Sequence, residues 1–176
     1  MLAPPPFSGA RAYGYYSAEL RLLVHRFKFS GRRDLVALFS PLMLAAFADW
    51  YSRADFDLVV AVPLHPGRRR ERGFNQAALL ARTLARDLGL PISETALGRT
   101  RSTQAQSGLS DAQRRLNVRG AFAVRNRTAV QEKHLLLVDD VMTTGATVAS
   151  ASRALLEAGA LRVSVLTLAR VVAGEE

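Results

Sequence analysis

Residues 134–147 read HLLLVDDVMTTGAT. Leu135, Leu136, Leu137 and Val138 form an unbroken apolar run, the pattern of a strand buried on both faces of a parallel sheet. Two adjacent carboxylates, Asp139 and Asp140, stand at its carboxyl end, and in open α/β sheets ligands bind outside those strand ends. The pattern predicts a turn over 139–145 and a helix over 146–158, closed by Gly159. Free backbone N–H groups and the dipole at a helix start make an anion site. Gly145 permits close approach of the backbone to a phosphate, and Thr143, Thr144 and Thr147 add hydroxyl donors. Carboxylates beside an anion site make sense when the ligand also carries hydroxyls or a cation, as a sugar phosphate does. Neither GxxxxGK[ST] nor GxGxxG occurs at a strand–helix turn, which removes the P-loop and dinucleotide readings.

Working outward, residues 58–62 (LVVAV) repeat the buried-strand pattern and end at Pro63. Residues 64–73, holding Pro66, Gly67 and four arginines, read as a loop. Helical spacing returns over 74–88 and stops at Gly89. Residues 161–168 predict a third strand. Near the start, 17–29 place Leu20, Leu23, Val24 and Phe27 on one helical face with Ser17 as N-cap. Residues 34–50 read as a second helix, interrupted near Pro41 or restarting there. Residues 97–124 are weakly periodic and polar, a long excursion with the character of a ribbon. Alternating strands and helices with apolar strands define an α/β fold, a parallel sheet flanked by helices. The expected division is an N-terminal helical segment, 1–54, packing on a core of 55–176.

The 176 residues suit a single core, and no apolar run reaches the length of a membrane span. The first ten residues lack a basic segment followed by an apolar one, so a cytoplasmic location is the expectation. The absence of cysteine excludes disulfides, thiolate zinc sites and cysteine nucleophiles. His25, His65 and His134 are too far apart for a metal-binding motif. Of the net charge of +9, +8 falls within residues 65–125, where twelve arginines meet four acids. Such a block suits polyphosphate or nucleic acid, or reflects compositional bias, since Lys28 and Lys133 are the only lysines.

The run LLLVDDVMTTGAT resembles the phosphoribosyl pyrophosphate motif of type I phosphoribosyltransferases. HRFKFSGRRDL, VVAVPLHPGRRRERGFNQAALLA, TRSTQAQSGLSDAQRRLNVRGAF and the terminal TLAR are similar, in order and spacing, to the ComF family of competence-associated proteins. The resemblance spans residues 13–170. It implies a type I phosphoribosyltransferase fold in which Val141, Met142, Thr143, Thr144, Gly145, Ala146 and Thr147 hold the phosphoribosyl phosphate. Asp139 and Asp140 would orient the ribose and stabilise positive charge developing at C1. The loop 64–70 would hold pyrophosphate, through Leu64, His65 and the guanidinium groups of Arg68, Arg69 and Arg70. Residues 99–119 match the flexible loop that closes over the site in such enzymes, with Arg101, Gln104, Arg114 and Asn117 as candidate contacts. Lys28 is a further candidate phosphate contact or a surface lysine.

The implied cofactor is Mg²⁺, carried by the substrate's diol and pyrophosphate oxygens near Asp139 and Asp140 rather than by direct protein ligands. No residue of the motif is an obvious nucleophile, which favours direct displacement by an acceptor. Many members of the family begin with a cysteine-rich zinc module, and this sequence has no cysteine. Two functions stand side by side: transfer of a phosphoribosyl group, and a non-catalytic binding module of the DNA-uptake machinery. Competence or DNA-processing proteins are the expected partners. Single-stranded DNA is less favoured, because aromatics are 7% and do not interleave with the basic block. Type I relatives are often dimers, which implies a homodimer by analogy.

Overall fold

The computed structural model describes residues 4–101 and 111–172, without the side chains of 111, 112, 114 and 115. Its elements in order are β1 (Gly9–Tyr15), α1 (Ala18–Phe29), α2 (Leu35–Trp50), a 3₁₀ turn (Arg53–Asp55) and β2 (Leu58–Ala61). Then come α3 (Pro66–Arg72), α4 (Gln76–Leu88), β3 (Ile92–Ser93), β4 (Leu97–Arg99), α5 (Asp111–Val118) and β5 (Phe122–Val124). β6 (His134–Met142), α6 (Ala146–Glu157) and β7 (Arg162–Arg170) follow, the last elements among the described residues.

Five strands form one parallel sheet in the order β1-β7-β6-β2-β3, and β4 pairs with β5 in an antiparallel ribbon. The apolar runs take the centre: Leu58 to Ala61 in β2 and Leu135 to Val138 in β6 are buried throughout and pair in register. β2 leads outward to β3, whereas β6 leads outward to β7 in the opposite direction. Right-handed crossovers then put the connecting helices on opposite faces. Contacts agree: α2 and α4 pack together over one face, while α6 packs with α5 and β5 on the other. The strand order therefore reverses between β6 and β2, and a crevice opens at their carboxyl ends.

Four local readings change. Residues 9–15, expected within a helical segment, form β1, paired with β7 from Gly9↔Ser164 to Tyr15↔Arg170. The expected loop 64–73 contains α3. Pro66 supplies the pre-set φ of a first helical turn, and His65 Nδ1 caps it by accepting from the Gly67 N–H at 3.2 Å. Helix α2 runs unbroken through Pro41, because burial of Phe39, Met43, Ala46 and Phe47 holds the segment against the sheet. An interior proline costs about 3 kcal/mol, which those four buried side chains offset at roughly 1.5–3 kcal/mol for each of the larger ones. Finally, β6 continues past Val138 to Met142, since β7 offers partners as far as Met142↔Arg170. The predicted turn over 139–145 shrinks to its last three residues.

Candidate active site at the carboxyl ends of β6 and β2

β2 stops pairing at Ala61↔Val138, with one further bond from the Val62 N–H to the Val138 carbonyl. Past that point β6 is paired on its β7 side, so Asp139 and Asp140 border the crevice. They line a cavity of about 300 Å³ with Lys28 of α1, Arg68 and Arg72 of α3, Gln76 of α4, Arg99 of β4, and Thr143 and Thr147. With Asn75, which also borders the cavity, six cationic or amide residues surround two carboxylates.

Asp140 is 7% exposed and its carboxylate lies 3.1 Å from Lys28 Nζ. Asp139 Oδ1 accepts from the Asp140 N–H at 2.9 Å. Burial, and then the neighbouring Asp140 charge, push the Asp139 carboxyl up to about 7. Burial also draws the Arg72 guanidinium below its ordinary value, opposed by Asp140. Arg99 is lowered by burial, with the Arg68 charge adding to the effect. Both remain cationic at neutral pH, as guanidinium groups do in proteins. Arg72 stacks over Phe29 at 4.9 Å and Arg99 over Phe122 at 5.3 Å, contacts that hold each planar group in place.

The phosphate-loop candidates gather at the start of α6. Val141, Met142, Thr143, Gly145 and Thr147 surround a small cleft. Gly145 is the N-cap residue with φ 76°, a left-handed conformation that glycine adopts without strain. Thr144 Oγ1 accepts from the Ala146 N–H at 3.4 Å. Thr144, Gly145 and Ala146 also border a second cavity of about 630 Å³, between α6, α5 and the segment Pro4 to Phe7.

The arginine run is divided by the helix it forms. Arg68 and Arg72, one turn apart, face the carboxylates. Arg69 and Arg70 face a neighbouring cavity of about 750 Å³ with Arg33 and Arg125. Leu64 borders both cavities. His65 serves as the cap of α3 and borders neither.

In the expected closing loop, Arg101 donates from Nη2 to the carbonyls of Asn117 and Arg119, at 3.0 and 2.9 Å. It fastens the base of the excursion to the end of α5, and neither it nor Asn117 borders the carboxylate cavity. Arg114 lies in α5 by its backbone, its side chain beyond the described residues; Gln104 falls outside them altogether. Arg72, Gln76 and Arg99 were not anticipated. Only Arg72 carried a signal, its spacing of four from Arg68. Among the described residues no group of three or more His, Asp or Glu is placed to hold a metal ion, and no helix is long and apolar enough to cross a membrane.

A parallel sheet, an acid pair at the strand-order reversal and a glycine–threonine turn opening a helix together define a phosphoribosyltransferase-type domain. Comparison with known proteins agrees. The phosphoribosyl transferase domain model matches residues 71–176. DNA utilization protein YhgH of Escherichia coli O157:H7 is 38% identical over 96% of this chain and 75% of its own length. Competence protein F of Haemophilus influenzae is 34% identical over 89% of this chain and 70% of its own. Among solved structures, glutamine phosphoribosylpyrophosphate amidotransferase from B. subtilis is 27% identical over 79% of this chain, with a TM-score of 0.48. This chain spans about a quarter of that enzyme's length, 26%. The chain belongs to the phosphoribosyl transferase domain family, in its ComF-like branch.

Proposed function

We propose that this protein binds phosphoribosyl pyrophosphate with Mg²⁺ and transfers the phosphoribosyl group to an acceptor, in the setting of DNA uptake and natural transformation. One observation carries this reading: the carboxylates of Asp139 and Asp140 share a cavity with Arg68, Arg72 and the opening of α6. The 5-phosphate is assigned to the turn from Thr143 to Thr147, where threonine hydroxyls and the backbone N–H groups opening α6 converge. The ribose diol is assigned to the acid pair, whose oxygens accept hydrogen bonds. With the phosphate on the α6 side, the substituent on C1 points toward β2, where Arg68 and Arg72 offset the charge of a departing pyrophosphate.

Mg²⁺ usually keeps several waters and binds largely through substrate phosphate oxygens rather than in an all-protein cage, which suits a site whose only acids among the described residues are an adjacent pair. The substrate's diol and pyrophosphate oxygens would hold it, beside Asp139 and Asp140. When bound, it supplies charge neutralisation to the pyrophosphate. The two acids differ in surroundings: Asp140 is paired with Lys28, and burial raises the Asp139 carboxyl to about 7.

Calorimetric titration with phosphoribosyl pyrophosphate and Mg²⁺ tests binding, and release of pyrophosphate on adding acceptors tests transfer. No heat of binding, with Asp139→Ala and Asp140→Ala indistinguishable from the parent, would sink the proposal. A second reading has its own support, since the relatives carry names from competence and DNA utilization rather than from transfer chemistry. It makes the site a cytoplasmic ligand-binding module for competence or DNA-processing partners. Binding without pyrophosphate release favours it. A salt slope near zero for single-stranded DNA argues against direct DNA contact.

A further inference from the structure

We infer that the Gln76 amide is a pyrophosphate-binding group, held in place by Arg72 at the start of α4. The inference rests on the phosphoribosyl pyrophosphate reading above and assigns a residue that neither the sequence motif nor the arginine run indicates.

Gln76 is 1% exposed, yet its Nε2 has no hydrogen-bond partner. Leaving a buried amide unsatisfied is costly, and such groups call for an explanation. The side chain borders the same cavity as Asp139, Asp140 and Arg68. Its other end is fixed, because Arg72 Nη1 donates to Gln76 Oε1 at 3.4 Å. That contact assigns the oxygen to the arginine side and leaves both N–H bonds of Nε2 for something else.

The surroundings define what that is. Gln76 is the first residue of the thirteen-residue α4, whose opening N–H groups have no acceptor within the helix. The N-cap residue, Asn75, makes no side-chain capping bond; its amide donates instead to the Val62 carbonyl at 3.0 Å. Nε2, the helix opening, Arg72 and Arg68 are all donors, so the complementary group is rich in acceptor oxygens and anionic. Position names it. α4 starts on the β2 side of the crevice, opposite α6, and with the 5-phosphate on α6 that side receives the C1 substituent. Pyrophosphate is the group that satisfies Nε2 there. Arg72 contributes twice, by charge and by orienting the amide.

The test uses inorganic pyrophosphate with Mg²⁺, and ribose 5-phosphate, titrated into the full chain and into Gln76→Met and Gln76→Glu variants. Methionine keeps the volume and removes the stranded amide; glutamate keeps the contact with Arg72 and replaces the donor with an acceptor. In Gln76→Met the affinity for pyrophosphate should fall about tenfold or more, the effect of losing a hydrogen bond to a charged group. Its melting temperature should hold or rise, and ribose 5-phosphate binding should be unchanged. Gln76→Glu should lose more pyrophosphate affinity than Gln76→Met. Unchanged pyrophosphate affinity in both variants overturns the inference, as does a lowered melting temperature in Gln76→Met with binding intact, the behaviour of a purely structural residue. If the parent binds pyrophosphate but not ribose 5-phosphate, the phosphoribosyl reading fails while the role of Gln76 stands; a parent that binds neither overturns both.

Discussion

The Lys28 ammonium lies 3.1 Å from the Asp140 carboxylate and joins helix α1 to the carboxyl end of β6. The two side chains are 20% and 10% exposed, so the pair is largely shielded from water. Its effect is to let the buried Asp140 carboxylate stand directly beside the partly buried Asp139. Without a cation at this point, Asp140 would face both burial and the charge of Asp139. The residue considered as a phosphate contact or a surface lysine thus stands inside the site and is committed first to the acid pair.

Replacing Lys28 by methionine should therefore destabilise the fold by about 2 kcal/mol, below the usual cost of breaking a buried pair because the lysine keeps some exposure. Urea unfolding measures this. Asp140→Asn in the same background should recover part of the loss. Additive effects of the two changes would show that the pair is not coupled.

The raised Asp139 pKa has a definite sign for stability. Its ordinary value is 3.8 and its folded value about 7. Between those two pH values the folded protein keeps a proton that the unfolded chain releases. The contribution of this carboxyl to stability is therefore present below pH 4, lost as pH rises through 7, and flat above it. Comparing parent with Asp139→Asn by urea unfolding at pH 5 and pH 8 isolates the group. The parent should be relatively less stable at pH 8; an equal difference at both values contradicts the assignment. Affinity for a diol-bearing ligand should follow the ionised form and increase through the same range.

Splitting of the arginine run between two cavities separates functions that the sequence grouped together. Arg68→Ala should weaken pyrophosphate binding about tenfold or more, as removal of a charge-assisted contact does. Arg69→Ala and Arg70→Ala should change it by less than about threefold, a long-range charge effect screened by salt. Titrations at physiological ionic strength check this, and equal losses at all three positions would show that the helix phase does not govern ligand contact.

Gly145, at φ 76°, is where the turn into α6 depends on glycine. Gly145→Ala should cost about 1–2 kcal/mol, the penalty of a left-handed conformation for an L-residue. It should also weaken ribose 5-phosphate binding. Gly145→Asn, which tolerates that conformation better, should be milder in thermal melting. Equal melting temperatures for both variants would show that the turn relaxes.

Much of the architecture was readable because its signals are local. The runs over 58–62 and 134–138 announce buried parallel strands by apolar continuity, and the helices over 17–29, 74–88 and 146–158 show their faces or stops. β1 escaped because GARAYGY has no strong strand signature; its backbone is held by pairing with β7 across the length of the chain. β3 is two residues long and exists through pairing with β2. α3 escaped because PGRRRER has no apolar face to mark a helix, and its cap and proline supply the start instead.

By itself, the sequence determined the parallel α/β plan, the acid pair at a strand end and the glycine–threonine opening of a helix. Each of these depends on neighbours a few residues apart, where the periods of strand and helix apply. Tertiary structure decided which arginines meet the carboxylates, that Lys28 pairs with Asp140, and that Gln76 lies buried with an unsatisfied amide. Those outcomes depend on helix phase and on the reversal of strand order between β6 and β2, which brings distant segments together at one crevice.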